Sequence, residues 1–457
     1  MLRKKKSTVA RLHFAISLMV MFGALFYGCA ANLFANPLQN PAPPATVETL
    51  LQEAVTFLKA QNLSEAESRL RRALKLAPQN ADAHNLLGIV LDQQGKAAES
   101  EREYRAALRL NPNSISARAN LGVLLARGKR DSEAIENFEA VLKLAPDHPQ
   151  ATINLGLLYA SRKDFQRAAN LLTRANELQP NTFDILLHLG IARYHLQQLD
   201  DAAKTFIAAS SLANHAAEPF YFLGLIAAAR GEDETASEYL EKSLALRPQY
   251  PEANFKLGEL LQKHQLYKSA KEFYERALAQ DPTQPAYYAR LGGTYILLAN
   301  FEQALLVFQQ ATERFAKNAD MHYFLALAAR GIADYELAQT ALRKSLALQP
   351  DQPDALALLG AIISDRGAAV EAEKLLRRAV RLDDKHFNAH HDLGLLLVRT
   401  QRYNEALLIL QRAAALNNED ADTHYQLFIT LSRLKRREEA ERELAIYKQL
   451  MEKSKNK

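Results

Sequence analysis

Cysteine is almost absent from this chain. Cys29 stands alone among 457 residues, so an intramolecular disulfide framework is excluded. A net basic charge is also missing beyond the amino terminus. The formal net charge of +5 equals that of Arg3, Lys4, Lys5, Lys6 and Arg11, and no acidic residue precedes Glu48. The rest of the chain is therefore neutral, whereas a nucleic-acid partner held by electrostatics needs a net basic domain or stripe. Lys453, Lys455 and Lys457 read as a solvated tail, with residues 455–457 as its end. Catalytic signatures are lacking too: there is no glycine-rich phosphate loop, no His-Glu-x-x-His and no Gly-x-Ser-x-Gly. No catalytic residue, cofactor or enzyme activity is expected.

What is present is a strict period. Leu-Gly recurs at Leu87-Gly88, Leu121-Gly122, Leu155-Gly156, Leu189-Gly190, Leu223-Gly224, Leu257-Gly258, Leu291-Gly292, Leu359-Gly360 and Leu393-Gly394, always 34 residues apart or twice that. Leu325-Ala326 fills the missing step and Leu427-Phe428 the next one. Twelve residues after each small residue comes an alanine, from Ala134 and Ala168 to Ala406 and Ala440, with Ala66 earlier and Ser100 as the exception. Twelve further on, proline stands at Pro78, Pro112, Pro146, Pro180, Pro248, Pro282 and Pro350, where it cannot extend a helix. A fixed period of this size means stacked supersecondary units, here helix, turn, helix, stop.

These offsets resemble the tetratricopeptide repeat. The Leu-Gly pair, the downstream Ala, the large residue four further on (Tyr104, Phe138, Phe206, Tyr274, Phe308) and the closing Pro match that family over twelve units, residues 47–454. The resemblance implies an all-α, right-handed superhelical α-solenoid of antiparallel helix pairs, expected as one elongated body. The fourth position, bulky in the family, reads His84, Arg118, Thr152, Phe220, Tyr288 and His390, which predicts weaker individual hairpins. Solenoid ends need polar caps, and both ends are atypical: Glu53-Ala54 replaces Leu-Gly, and the last second helix carries Lys435, Arg436, Arg437, Glu438, Glu439, Glu441, Arg442 and Glu443.

In this family the first helices line the concave face, with the fifth and ninth positions pointing into it. Those positions read Ile153 and Leu157, Leu187 and Ile191, Tyr221 and Leu225, then Phe255, with Tyr194 at a twelfth position beside them. Two readings stand: a partner groove with aromatic anchors, or packing against the neighbouring unit. The family's carboxylate clamp uses Lys at position five and Asn at position nine, and no unit has either. Asn120 and Asn154 share the sixth position but make no ladder. Asp82, Asp184, Glu218, Glu252, Asp320, Asp354 and Asp422 open first helices, either as an acidic row for a basic peptide or as carboxylates favoured by the helix dipole. The second reading gains from Asn80, Ser114, Thr182, Asn318 and Asp420, placed as N-caps. His386, His390, His391 and Asp392 suggest a metal only if the first pair shares a helix face; repeat position explains them without one.

Residues 1–35 are a different kind of sequence. A basic start precedes an apolar run, Leu12 to Tyr27, of about 16 residues against the ~20 of a spanning helix. This is the layout of a secretory signal. Cys29 after Gly28 is a candidate for lipidation, imperfect because Phe26 and Tyr27 precede it; plain cleavage after Ala30, Ala31 or Ala35, and an uncleaved anchor, are the alternatives. Residues 36–46, with Asn36-Pro37-Leu38-Gln39-Asn40-Pro41-Ala42-Pro43-Pro44, read as a proline-rich tether. The expected protein is exported, periplasmic or membrane-tethered, and binds other proteins or peptides. It is either a non-catalytic scaffold of a bacterial cell envelope or a client-selecting or regulatory subunit of an envelope enzyme complex, for polysaccharide synthesis and export or proteolysis. The close-contact reading of the glycine row has a direct test. Gly224→Val is expected to overpack its hairpin and cost about 1–3 kcal/mol; an unchanged melting temperature refutes the placement of Gly224.

Overall fold

The computed structural model describes residues 46–455. Among the described residues there are helices and no strands, arranged as helix pairs in tandem. First helices run 13 residues, as in Ala81–Gln93 and Phe183–His195, and second helices 14, as in Ala97–Leu110 and Leu199–Leu212. The register never slips from Val47–Lys59 to Ala421–Arg433. Packing divides the chain into two compact units at Leu246 and Arg247. Repeats 1–6 form the first, apart from the closing turn of repeat 6, and repeats 7–12 the second. Residues 1–45, which carry the expected signal segment, Cys29 and most of the expected tether, lie outside the described residues. Among those described, no helix is long and apolar enough to cross a membrane.

Each hairpin but the last, where Phe428 stands instead, is held by a small residue of the first helix seated against a large one of the second. A Cβ added at Gly190 would lie 2.6 Å from Phe206 Cε1, at Gly88 2.6 Å from Tyr104 Cδ1, and at Gly224 2.8 Å from Leu240 Cγ. Phe206 and Tyr104 are fully enclosed, and burying one such ring is worth about 2–3 kcal/mol. Where the first helix carries Ala54 or Ala326 instead of glycine, the facing position holds Leu70 or Leu342, the residue type that also faces Gly156, Gly224, Gly360 and Gly394. The alanine row has no exposed surface at Ala66, Ala134 and Ala202. Its exception obeys the same packing, because Ser100 Oγ is buried and donates to the Gly88 carbonyl at 2.7 Å.

The turn inside every hairpin uses a left-handed residue that the sequence hardly announces. Gln61, Lys129, Lys163, Gln197, Gln265, Ala299, Ala333, Gln401 and Lys435 all have φ between 57° and 64°, and Gly95, Gly231 and Gly367 occupy the same place. The next residue donates back to the carbonyl five before it, as in Asn62 to Phe57 and Arg130 to Leu125, which satisfies the end of the first helix.

Fourth-position side chains close the joint to the preceding repeat. His84 Nε2 meets the Pro78 carbonyl at 3.0 Å, Arg118 Nη2 donates to Pro112 O at 2.6 Å, and His322 Nε2 meets Ala316 O at 3.1 Å. Asn254 and Tyr288 reach Pro248 O and Pro282 O at 3.4 Å. At these positions the side chain makes a hydrogen bond to a closing-turn carbonyl, worth about 1 kcal/mol net, whereas Thr152 and His390 bond the His148 and His386 carbonyls at the start of their own helices.

At the two ends, Ala54 is buried and Glu53 pairs with Arg69 at 2.6 Å. The last helix, Arg437–Lys455, is 19 residues long. It carries Tyr447 where inner second helices have fully buried Ala209, Ala277 or Ala413, and Tyr447 packs its ring 5.1 Å from Tyr425. The helix continues through Lys455, and Lys453 pairs with Glu419 at 2.7 Å, so this part of the expected tail is structured. Adjacent glycines separate close packing from helix propensity. Gly292→Ala, whose Cβ would sit 2.3 Å from buried Phe308 Cζ, is expected to destabilise by about 1–3 kcal/mol. Gly293→Ala meets nothing within 4 Å and is expected to stabilise by about 0.5–1 kcal/mol; chemical denaturation of both variants checks the contrast.

Candidate functional site

The predicted stripe separates by burial. Ile153, Leu157 and Leu187 are 1%, 6% and 9% exposed and belong to the cores of their repeats. Ile191, Tyr194, Tyr221 and Leu225 are half-buried, and all four lie on first helices of repeats 5 and 6, Phe183–His195 and Ala217–Ala229. Phe222, at the sixth position and outside the predicted set, organises them: its ring stacks on Phe206 at 4.9 Å and takes the edges of Tyr194 at 5.5 Å and Tyr221 at 5.2 Å. Only reading the sixth position beside the fifth and ninth would have found it. Phe255 lies in the second unit, half-buried between the Tyr274 and Tyr287 rings at 5.6 and 4.7 Å.

A polar group sits in the same first-helix row. Asn120 Nδ2 donates to Asn85 Oδ1, one repeat back, at 3.2 Å. The corresponding residue behind Asn154 is Ala119, which offers no acceptor. Asn154 is 5% exposed and its Nδ2 is buried without a hydrogen-bond partner, a costly state for an amide. Two asparagines make no row in the sequence, and the unpaired amide emerges only with the neighbouring helix in place.

The acidic row is partly engaged between repeats. Asp354 Oδ1 lies 3.2 Å from His386 Nε2, Asp320 accepts from Gln352 Nε2 at 3.2 Å, and Asp422 Oδ2 lies 3.2 Å from His391 Nε2. Each joins a first helix to the start of the next or to its neighbour. Asn80, Ser114, Asn318 and Asp420 cap their helices through side-chain oxygens. Thr182 makes no side-chain cap bond and instead donates from its hydroxyl to Gln179 O at 3.3 Å.

His386 is itself an N-cap, its Nδ1 accepting from the Ala389 N–H at 3.1 Å, while His390 Nδ1 meets the His386 carbonyl at 3.0 Å. These two histidines use their Nδ1 atoms on backbone. Among the described residues no group of three or more His, Cys, Asp or Glu side chains is placed to hold a metal.

The repeat geometry has its counterpart in known families. A family model described as the tetratricopeptide repeat matches residues 51–115, 91–149, 123–181, 153–217, 187–251, 325–387 and 371–421, and a second of that description matches 227–291 and 264–330. The chain belongs to the tetratricopeptide-repeat family. Arrays of this family are protein–protein interaction scaffolds. No curated protein matches the chain. Solved structures similar to this tetratricopeptide-repeat protein include yeast Tom70, 15% identical over 86% of this chain and 96% of that one with a TM-score of 0.38. The APC/C hetero-tetramer Cut9–Hcn1 is 14% identical over 88% and 93%, with a TM-score of 0.46. Pseudomonas aeruginosa pilF is 22% identical over 48% and 96%, with a TM-score of 0.39.

One carboxyl in the second unit is strongly perturbed. Burial lifts Asp392 to about 6, with Asp365 adding repulsion and His391, Arg330 and His386 pulling the other way. The folded value lies above the ordinary ~3.9, so the folded state holds more protons between about pH 4 and 6 and stability falls as pH rises through that window. Asp392→Asn is expected to stabilise the tetratricopeptide-repeat protein by about 1–3 kcal/mol near neutral pH and to flatten its stability profile below about pH 6. Denaturation at both ends of that window checks it.

Proposed function

We propose that this protein is a non-catalytic scaffold of a bacterial cell envelope, exported by its amino-terminal segment, which binds extended polypeptide segments along the first helices of repeats 4–6. The observation that carries the reading is the half-buried apolar set Ile191, Tyr194, Tyr221 and Leu225 in line with the unpaired amide of Asn154. Aromatic anchors with a few polar groups suit a peptide: the side chains give the affinity, and a rotation of the buried Asn154 side chain on binding brings its Nδ2 to a main-chain carbonyl. First helices of successive repeats lie about 10 Å apart, so a segment of roughly six extended residues at ~3.3 Å each covers repeats 4 to 6. The absence of net charge beyond Arg11 favours an apolar or neutral segment over a strongly charged one. Export is supported by the basic start and apolar run of residues 1–27.

The test is a crosslinking pull-down from native membranes with the intact protein, a Tyr194→Ala, Tyr221→Ala variant and an Asn154→Leu variant matched for melting temperature. Loss of two aromatic anchors is expected to lower partner recovery at least tenfold, since such residues often cost about 2 kcal/mol each; Asn154→Leu is expected to weaken recovery while leaving the fold intact. Equal recovery from all three proteins refutes the groove. A single stoichiometric enzyme among the partners would identify the chain as the client-selecting subunit of an enzyme complex instead of a general scaffold.

A further inference from the structure

Two histidine–glutamate pairs occupy identical positions in repeats 2 and 12. His84 and His424 stand at the fourth position, Glu103 and Glu443 at the twenty-third. In both, histidine Nδ1 lies 2.6 Å from glutamate Oε2 on the second helix of the same repeat. Histidine Nε2 lies 3.0 Å from the Pro78 carbonyl in one and 3.2 Å from the Asn418 carbonyl in the other, in the closing turn of the preceding repeat. The side chains are 17% and 24% exposed in repeat 2, and 7% and 24% in repeat 12. Each ring thus ties three pieces together: its own helix, that helix's partner and the previous repeat.

Counting protons shows what these ties require. A backbone carbonyl only accepts, and an ionised carboxylate only accepts, whereas a neutral imidazole has one N–H to give. Both contacts are hydrogen bonds only when the pair holds one proton more than neutral imidazole and carboxylate supply together, whether that proton sits on Nδ1 or on Oε2. The other fourth-position residues need no such proton. Arg118 carries a permanent charge, Asn254 and Tyr288 donate while neutral, and His322 meets only the Ala316 carbonyl, with Ala341 at its twenty-third position.

We infer that His84–Glu103 and His424–Glu443 are proton-operated latches, which fasten the second and the last repeat to their neighbours in mild acid and release them as pH rises. Opening a latch leaves the ring with one N–H and the carboxylate with none, so opening releases the extra proton and the closed state is favoured as pH falls. The ionisable neighbour on the first helix of repeat 2 is Asp82. In repeat 12 the neighbours are Asp420, bonded to Thr423, Asp422, which meets His391, and Glu419, paired with Lys453.

The test is hydrogen–deuterium exchange by mass spectrometry on the full chain at about pH 6.5 and 7.5, corrected for the intrinsic pH dependence of exchange. In the wild type, the helices Ala97–Leu110 and Arg437–Lys455 are expected to exchange up to about tenfold faster at the higher pH, while the helix Ala319–Gly331 around His322 does not respond. Glu103→Gln and Glu443→Gln keep every bond with a neutral ring, because the amide donates to Nδ1 and Nε2–H donates to the carbonyl; each is expected to abolish the response in its own repeat. The same pH response in wild type and both variants overturns the inference, as does no response in wild type. Should a Gln variant fail to fold, His84→Arg and His424→Arg, which copy the Arg118 arrangement of repeat 3, carry the same expectation.

Discussion

The fold depends on one close contact, the seat of a small first-helix residue against a large second-helix residue within each hairpin but the last. Glycine under Tyr104, Phe138, Phe206, Tyr274 or Phe308 leaves no room for a Cβ, and the helix axes approach as far as that ring permits. Two 13- or 14-residue helices are marginal alone. Their stability comes from this contact and from stacking, which is why the alanine row beneath it has no exposed surface and why its one serine must donate to a helix carbonyl. Each unit inherits its regularity from that repeated distance.

Polar side chains then regulate how one repeat meets the next. The fourth position, which the family resemblance reads as a place for bulk, is used in several repeats for a bond to the carbonyl six residues earlier. Carboxylates that open the first helices do two things at once: they favour the helix amino terminus, and several bridge to a neighbouring repeat or its cap. Outer second helices add charge pairs in repeated register, Arg105, Glu101, Arg130 and Glu133 in repeats 2 and 3 and Arg377, Glu373, Arg402 and Glu405 in repeats 10 and 11. These are largely exposed, so each contributes little.

The proposed partner surface lies where that economy is incomplete. In repeats 5 and 6 the aromatic side chains exceed what the hairpin cores enclose, and Phe222 holds Tyr194 and Tyr221 at the edge of the packing. In repeat 4 the amide of Asn154 finds alanine where its counterpart in repeat 3 finds asparagine. Half-covered rings and an unsatisfied donor are both unfavourable in isolation, and the proposed polypeptide segment would relieve both.

The sequence by itself determined the repeat length, the helix pairing, the glycine and alanine contacts and most first-helix caps, because these follow from spacing and from residue size. It left the turn obscure, since Gln, Lys and Ala serve at a left-handed position usually marked by glycine. Only the tertiary structure decided which stripe residues are core and which are surface: Ile153 and Ile191 are the same residue type on equivalent faces, yet one is covered and the other is not. Burial is set by what the adjacent helix brings, and that is not written at either position. The same holds for His386 and His84, whose spacing suggests a ligand or a plain substitution. Which atom faces each ring nitrogen, and hence whether the ring needs a second proton, is settled by chain segments up to 32 residues away.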